Sequence, residues 1–163
     1  MRALTRKLYG LQMTQNLNNF LQGFEQKQFA TKAGTVAHAK MQHIVIDANS
    51  GDMGDKQIID TIKTKPELIR FFSANAKTEV PIAGYVGGIF VSRRIDRLLI
   101  NDDIKTIDFI DYKTDIDKTL FVDKYKKQLS EYAELLQSAY PDYKINGYIL
   151  WLHDWDLAGV VCS

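Results

Sequence analysis

Arg94-Ile95-Asp96-Arg97-Leu98 and, a short turn later, Ile107-Asp108-Phe109-Ile110-Asp111-Tyr112-Lys113 are the two runs that decide how this chain is read. The second reads as a strand, and a strand sends alternate side chains to opposite faces. Ile107, Phe109, Asp111 and Lys113 therefore share one side, so a carboxylate and an ammonium point the same way. The first run is also strand-like, with Phe90, Arg94, Asp96, Leu98 and Ile100 on one face. The turn at Asn101-Asp102-Asp103 returns the chain antiparallel. Asp96 is thereby expected to approach Asp111 and Lys113.

Two carboxylates and a lysine on paired strands are the elements of metal-assisted phosphodiester hydrolysis. Hard oxygens hold Mg²⁺ or Mn²⁺, the cation generates a hydroxide and neutralises developing charge, and a nearby lysine positions the water or stabilises the phosphorane. A D-x-K triplet alone arises by chance on any charged strand, but here three further segments accompany it. These are Gly34-Thr35-Val36-Ala37-His38, Glu79-Val80-Pro81 and Gln128-Leu129-Ser130-Glu131-Tyr132. Asp96 followed by Asp111-Tyr112-Lys113 resembles the PD-(D/E)xK nuclease signature. With the GTxxH, E-[VIP]-P and QxxxY motifs in order, roughly residues 30–155 resemble the RecB-type branch, the nuclease domain at the C-terminus of RecB and AddA.

The resemblance implies an α/β, restriction-endonuclease-like fold, a mixed central sheet flanked by helices. It implies His38, Asp96 and Asp111 as metal ligands, with the Tyr112 backbone carbonyl as a fourth, and Mg²⁺ or Mn²⁺ as the cofactor. Lys113 would position the attacking water, supported by Gln128 and Tyr132, the glutamine orienting the lysine or contacting DNA. The implied substrate is DNA, as single strands or duplex ends. The implied partner is a helicase or an AddB- or RecC-like subunit, because the sequence carries no ATP-binding motif and unwinding would come from elsewhere.

Bulk properties are those of an ordinary soluble globular protein. At 163 residues a single domain over 1–163 is expected, with 45% apolar and 25% charged residues. Twenty-one Lys and Arg against 20 Asp and Glu leave a net charge of +1, so DNA contact would depend on local clusters of basic residues. Cys162 is the only cysteine, which rules out disulfides within the chain and the four-cysteine iron–sulfur variant of the family. No apolar run approaches the ~20 residues of a membrane span, and no leader is recognisable. The expected compartment is the cytoplasm.

Along the chain, Leu11, Leu17, Phe20, Leu21, Phe24 and Phe29 predict one or two amphipathic helices within 1–30. The apolar spacing of Ala37, Met41, Ile44, Val45 and Ala48 predicts a helix capped by Thr35, with His38 in its first turn. His43 and His153 lack such a motif and are read as structural or surface residues. Asn49 to Asp55 is a loop without the ligand pattern of a calcium site. Thr64-Lys65-Pro66-Glu67 predicts a capping box opening a short helix, and the glycines from Gly84 to Gly88 predict a turn or an edge approach. A long helix carrying Tyr125, Leu129, Tyr132 and Leu136 should stop before Pro141, with Gln128 and Tyr132 on one face. Ile145 to Trp151 reads as a strand covered on both faces, Leu157 to Val161 as an edge strand, and Trp151 and Trp155 as packing residues.

Arg93, Arg94 and Arg97 flank Asp96 and could be salt-bridged strand residues or phosphate contacts. The lysines around Lys118, Lys124, Lys126 and Lys127 could form a solvated face or follow a phosphate backbone. Arg94, Arg97, Lys124 and Lys127 are the expected DNA contacts, made to phosphates without sequence preference. The rival to an exonuclease of a repair machine is a non-catalytic DNA-binding or scaffolding subunit that retains the fold.

Overall fold

Antiparallel pairing of the two quoted runs is the centre of the structure, a computed structural model that describes residues 32–160. In chain order the elements are α1 (helical over 32–41), α2 (Lys56–Lys63), α3 (Pro66–Ile69), a 3-10 turn (Arg70–Phe72), β1 (Lys77–Val86) and β2 (Ile89–Asn101). They continue with β3 (Thr106–Lys113), α4 (Lys118–Ala139), β4 (Lys144–Trp151) and β5 (Asp156–Val160). The chain divides into two compact units, 1–36 and 37–163, and the sheet belongs to the second. The helical segment expected over 1–30 lies outside the described residues.

The fold is α/β, with a five-stranded sheet in the order β1-β2-β3-β4-β5. Among the described strands only β3 and β4 run parallel, and α4 is the crossover that a parallel pair requires. This mixed sheet flanked by helices is compatible with a restriction-endonuclease-like fold. Leu98, Ile107, Phe109, Ile145 and Ile149 pack under Leu129, Tyr132, Ala133 and Leu136 of α4. On the opposite face Ile110, Tyr112 and Leu150 pack with Met41, Ile44, Ile59, Ile62, Leu68, Phe71 and Phe72. Both faces of β3 are therefore covered, which is why it reads as an apolar run interrupted by Asp108 and Asp111. Asp108 is accommodated by Arg70 at 2.8 Å and Asn146 at 2.8 Å. Gly87 (φ 55°) and Gly88 (φ 81°) make the two-residue hairpin between Val86 and Ile89 that only residues tolerant of positive φ allow. Among the described residues no helix is long and apolar enough to cross a membrane.

Three local expectations are corrected. The helix from Thr35 to Ala48 is shorter and begins earlier: Thr35 lies inside α1, which is helical over 32–41. Val45 then bridges Met53, and the Ile46 N–H donates to the Phe72 carbonyl at 2.7 Å, so this segment is extended rather than helical. The capping box at Thr64 does not form. Thr64 closes α2, its hydroxyl donating to the Thr61 carbonyl, and Pro66 opens α3 with no side-chain cap.

The third correction concerns β2, whose alternation is reset near Asp96. Arg93 reaches Glu131 of α4 at 2.9 Å and Ile95 joins the core under α4, while Arg94 is exposed and pairs with Glu79 at 2.6 Å. Arg94, and with it Phe90, therefore lies on the face opposite Leu98. The register keeps step through the break, with Thr78↔Arg97 and Val80↔Ile95 on either side of it. Between those pairs Glu79 has φ 55°, a left-handed conformation costly for a residue with a Cβ.

Arg97, an expected phosphate contact, is 1% exposed and cannot reach one. Its guanidinium donates to the Tyr112 hydroxyl at 2.7 Å and to the carbonyls of Phe71 (3.0 Å), Met41 (2.7 Å) and Ile44 (2.6 Å). It also stacks over Phe72 at 4.1 Å. The planar fork satisfies carbonyls at the end of α1 and clips that helix to β2 and β3. Arg97→Met should lower stability by about 2–3 kcal/mol, since it leaves buried oxygens without donors. Urea unfolding checks this, and an unchanged midpoint would contradict it.

Candidate functional site

The β2–β3 ladder runs from Asn101↔Thr106 to Arg97↔Ile110 and stops there. One step further the register sets Asp96 opposite Asp111. In place of a ladder bond, the Tyr112 N–H donates to Asp96 Oδ2 at 2.7 Å, so the carboxylate is wedged between the strands where their pairing ends. Asp96 and Asp111 are 7% and 4% exposed. Two buried carboxylates face one another at the end of a hairpin, in keeping with the antiparallel reading of the sequence.

α1 brings His38 to the same place. Its Nδ1 lies 3.3 Å from Asp96 Oδ1 and its Nε2 lies 3.1 Å from the Tyr112 carbonyl oxygen. Both neighbours are acceptors, so only the doubly protonated ring donates to both. The bond to Asp96 raises the His38 pKa above its ordinary 6.5, burial opposes this, and the charges of Asp96 and Asp111 reinforce it. A raised value means that the charged ring stabilises the fold below pH 6.5, a contribution lost as pH climbs through the folded pKa. In metal-free buffer the His38 ring protons should therefore titrate with a midpoint above 6.5 by NMR, and a midpoint at or below it would contradict this geometry.

Lys113 and the α4 residues complete the other half. Lys113 Nζ is 2.5 Å from Asp111 Oδ2 and donates to Gln128 Oε1 at 3.2 Å. The Gln128 amide donates to Asp111 Oδ1 at 3.0 Å and to the Tyr132 oxygen at 2.5 Å. The Tyr132 hydroxyl, its pKa pushed up to about 12 chiefly by burial, donates to Asp111 Oδ1 at 3.5 Å. Burial also pushes the Asp111 carboxyl above its ordinary range; Lys113 opposes that shift and the charge of Asp96 adds to it.

His38, Asp96, Asp111, Tyr112, Lys113, Gln128 and Tyr132 are thus joined in one network. Lys124 and Lys127 are exposed on α4 and Arg94 is exposed on β2, all free of the core, whereas Arg97 is spent inside it. His43 and His153 are on the surface and Trp151 is in the core, in line with the sequence. Periodicity marks Tyr125 only as a core residue of its helix, yet its ring lies 4.2 Å from Lys113 Nζ. Its place three residues before Gln128 is the signal that could have put it on the same helix face.

Whether these groups suit a hard divalent cation can be judged from the oxygens. Asp111 Oδ2 is buried and accepts no hydrogen bond of acceptable geometry; its contact with Lys113 is an ion pair. Asp96 Oδ1 and the Tyr112 carbonyl share a single imidazole. Asp111 Oδ2 and Asp96 Oδ1 each lie against a basic group of the protein, Lys113 and His38. Among the described residues no three His, Cys, Asp or Glu side chains form a ready cation cluster. Carboxylate and carbonyl oxygens are the donor types that a hard divalent cation takes.

No family model matches the chain, and no curated protein does. Among solved structures, one similar chain is titled "Crystal structure of SSO0001", 22% identical with a TM-score of 0.39. The match covers 64% of this chain and 50% of that one, so this chain spans about half its length. A likeness of that degree carries no argument.

Proposed function

We propose that this chain is a divalent-metal-dependent nuclease of the PD-(D/E)xK superfamily, of the RecB type, hydrolysing phosphodiester bonds of DNA as an exonuclease module of a repair machine. The observation that carries it is the convergence, at one end of the β2–β3 ladder, of two buried carboxylates and a histidine with a lysine held by glutamine. A structural salt bridge needs only one acid and one base; here two acids face two bases and a peptide carbonyl.

Asp96, Asp111 and the Tyr112 carbonyl would hold Mg²⁺ or Mn²⁺, joined by His38 once its ring has given up a proton. When bound, the ion supplies Lewis acidity, lowering the pKa of a water and neutralising charge on the phosphate. Lys113, now paired with Asp111 Oδ2, would supply a donor for the attacking water or a phosphate oxygen. Gln128 fixes the lysine through its carbonyl and Asp111 through its amide, and Tyr132 holds that amide from the other side. Lys124 and Lys127, with Arg94 where it leaves Glu79, would contact phosphates, without reading a sequence. Strand separation would be left to a motor partner.

The test is to incubate the protein with end-labelled single- and double-stranded DNA in Mg²⁺, Mn²⁺ or EDTA. Degradation in either metal and none in EDTA supports the proposal, and intact DNA in every condition overturns it.

A further inference from the structure

We infer that Tyr125 is a positioning residue for Lys113, a role that rests on the nuclease reading and goes beyond its motifs. Among the described residues the Lys113 ammonium meets three groups: Asp111 Oδ2 at 2.5 Å, Gln128 Oε1 at 3.2 Å and the face of the Tyr125 ring at 4.2 Å. The ring is itself held in place. Its hydroxyl donates to Asp115 Oδ2 at 2.6 Å, and the ring packs at a tilt against Trp151, centroids 5.9 Å apart. Trp151 is 2% exposed and is the β4 partner of Lys113 in register, so the ring is braced by the sheet that carries the lysine.

The three contacts differ in what becomes of them when a cation arrives. Asp111 Oδ2 is an oxygen the cation would claim, and a lysine held by that contact alone would then swing free along its four-carbon stem. The face of an aromatic ring attracts an ammonium through its quadrupole, yet it offers a hard divalent ion no oxygen. Tyr125 and Gln128 are thus the holds that persist, keeping Nζ beside Asp111 while leaving it a donor for water or phosphate. Asp115 fixes the ring through its hydroxyl, at the start of the turn that leads from β3 into α4.

A contact of this kind, partly shielded from water, corresponds to about a tenfold change in rate. Tyr125→Leu should therefore lose about tenfold in kcat with little change in KM, while Tyr125→Phe, which keeps the face, should stay within about threefold of wild type. A readout independent of activity is the NMR shift of the Lys113 ε-methylene protons in metal-free protein carrying labelled lysine, assigned by their loss in Lys113→Arg. Over an aromatic face they should be displaced upfield in wild type and Tyr125→Phe, and return to ordinary values in Tyr125→Leu. An undisplaced signal in the wild type overturns the contact. A displaced signal with Tyr125→Leu as active as wild type overturns the role. A displaced signal in a wild type that cleaves no DNA in any metal overturns the nuclease reading and the role with it.

Discussion

Asp111→Asn is expected to abolish metal-dependent cleavage, by at least about a thousandfold, and to leave the protein no less stable than wild type. The loss corresponds to on the order of 4 kcal/mol of transition-state stabilisation, within what one anionic ligand to a catalytic cation supplies. The stability half follows from the metal-free geometry. Asp111 is 4% exposed, Asp96 stands opposite it, and the net effect of burial and neighbours is to raise its pKa despite Lys113. A raised carboxyl pKa means that the ionised form is disfavoured in the fold, so at neutral pH the charge costs stability and its removal relieves that cost. The asparagine keeps an oxygen for the Gln128 amide, and Lys113 keeps Gln128 Oε1. Thermal melting in EDTA and cleavage in Mg²⁺ test the two halves separately. Most of the activity surviving would dismiss Asp111 from the site, and a large fall in melting temperature would mean that its pairing with Lys113 outweighs burial.

Lys113→Met is the second large effect, and it has the opposite signature with respect to metal. Turnover should fall by about a hundred- to a thousandfold, because the group that orients water or stabilises charge in the transition state is gone. Cation affinity should be unchanged or higher. An ammonium is no ligand, and in the metal-free protein it lies 2.5 Å from Asp111 Oδ2, where it competes with any incoming cation. Calorimetric titration with Mn²⁺ of wild type and variant measures this directly. A variant that fails to bind Mn²⁺ would show that Lys113 holds the site together rather than acting in the reaction.

How much of the fold and site was legible in the sequence depends on how local the cause was. The β2–β3 hairpin, α4, β4 and the edge strand follow from alternation, helical periodicity and turn residues, all contained within a few positions. The network of His38, Asp96, Asp111, Lys113, Gln128 and Tyr132 was approached through motifs whose spacing reflects that arrangement. What failed had distant causes. The periodicity of Ala37, Met41, Ile44 and Val45 suits a helix, yet α1 stops at residue 41, where the carbonyls of Met41 and Ile44 meet Arg97, 56 and 53 positions away. For the same reason Arg97 reads from the sequence as a strand cation, salt-bridged or in contact with phosphate. Nothing in its neighbours in sequence announces a cage of carbonyls and a tyrosine. The reset of alternation in β2 was equally hidden, since Glu79, the left-handed residue opposite Asp96, carries no sequence mark of its conformation.

Asp96, Asp111, His38 and the Tyr112 carbonyl forming one site for a divalent cation is the claim on which the nuclease reading stands. Titration of metal-free protein with Mn²⁺, followed by the EPR signal of the free ion, tests it most directly, comparing wild type with Asp96→Asn, Asp111→Asn and Lys113→Met. The expected result is a saturable site in the wild type, lost or greatly weakened in both aspartate variants and kept in the lysine variant. No saturable binding in the wild type, or binding that survives loss of either aspartate, would contradict it.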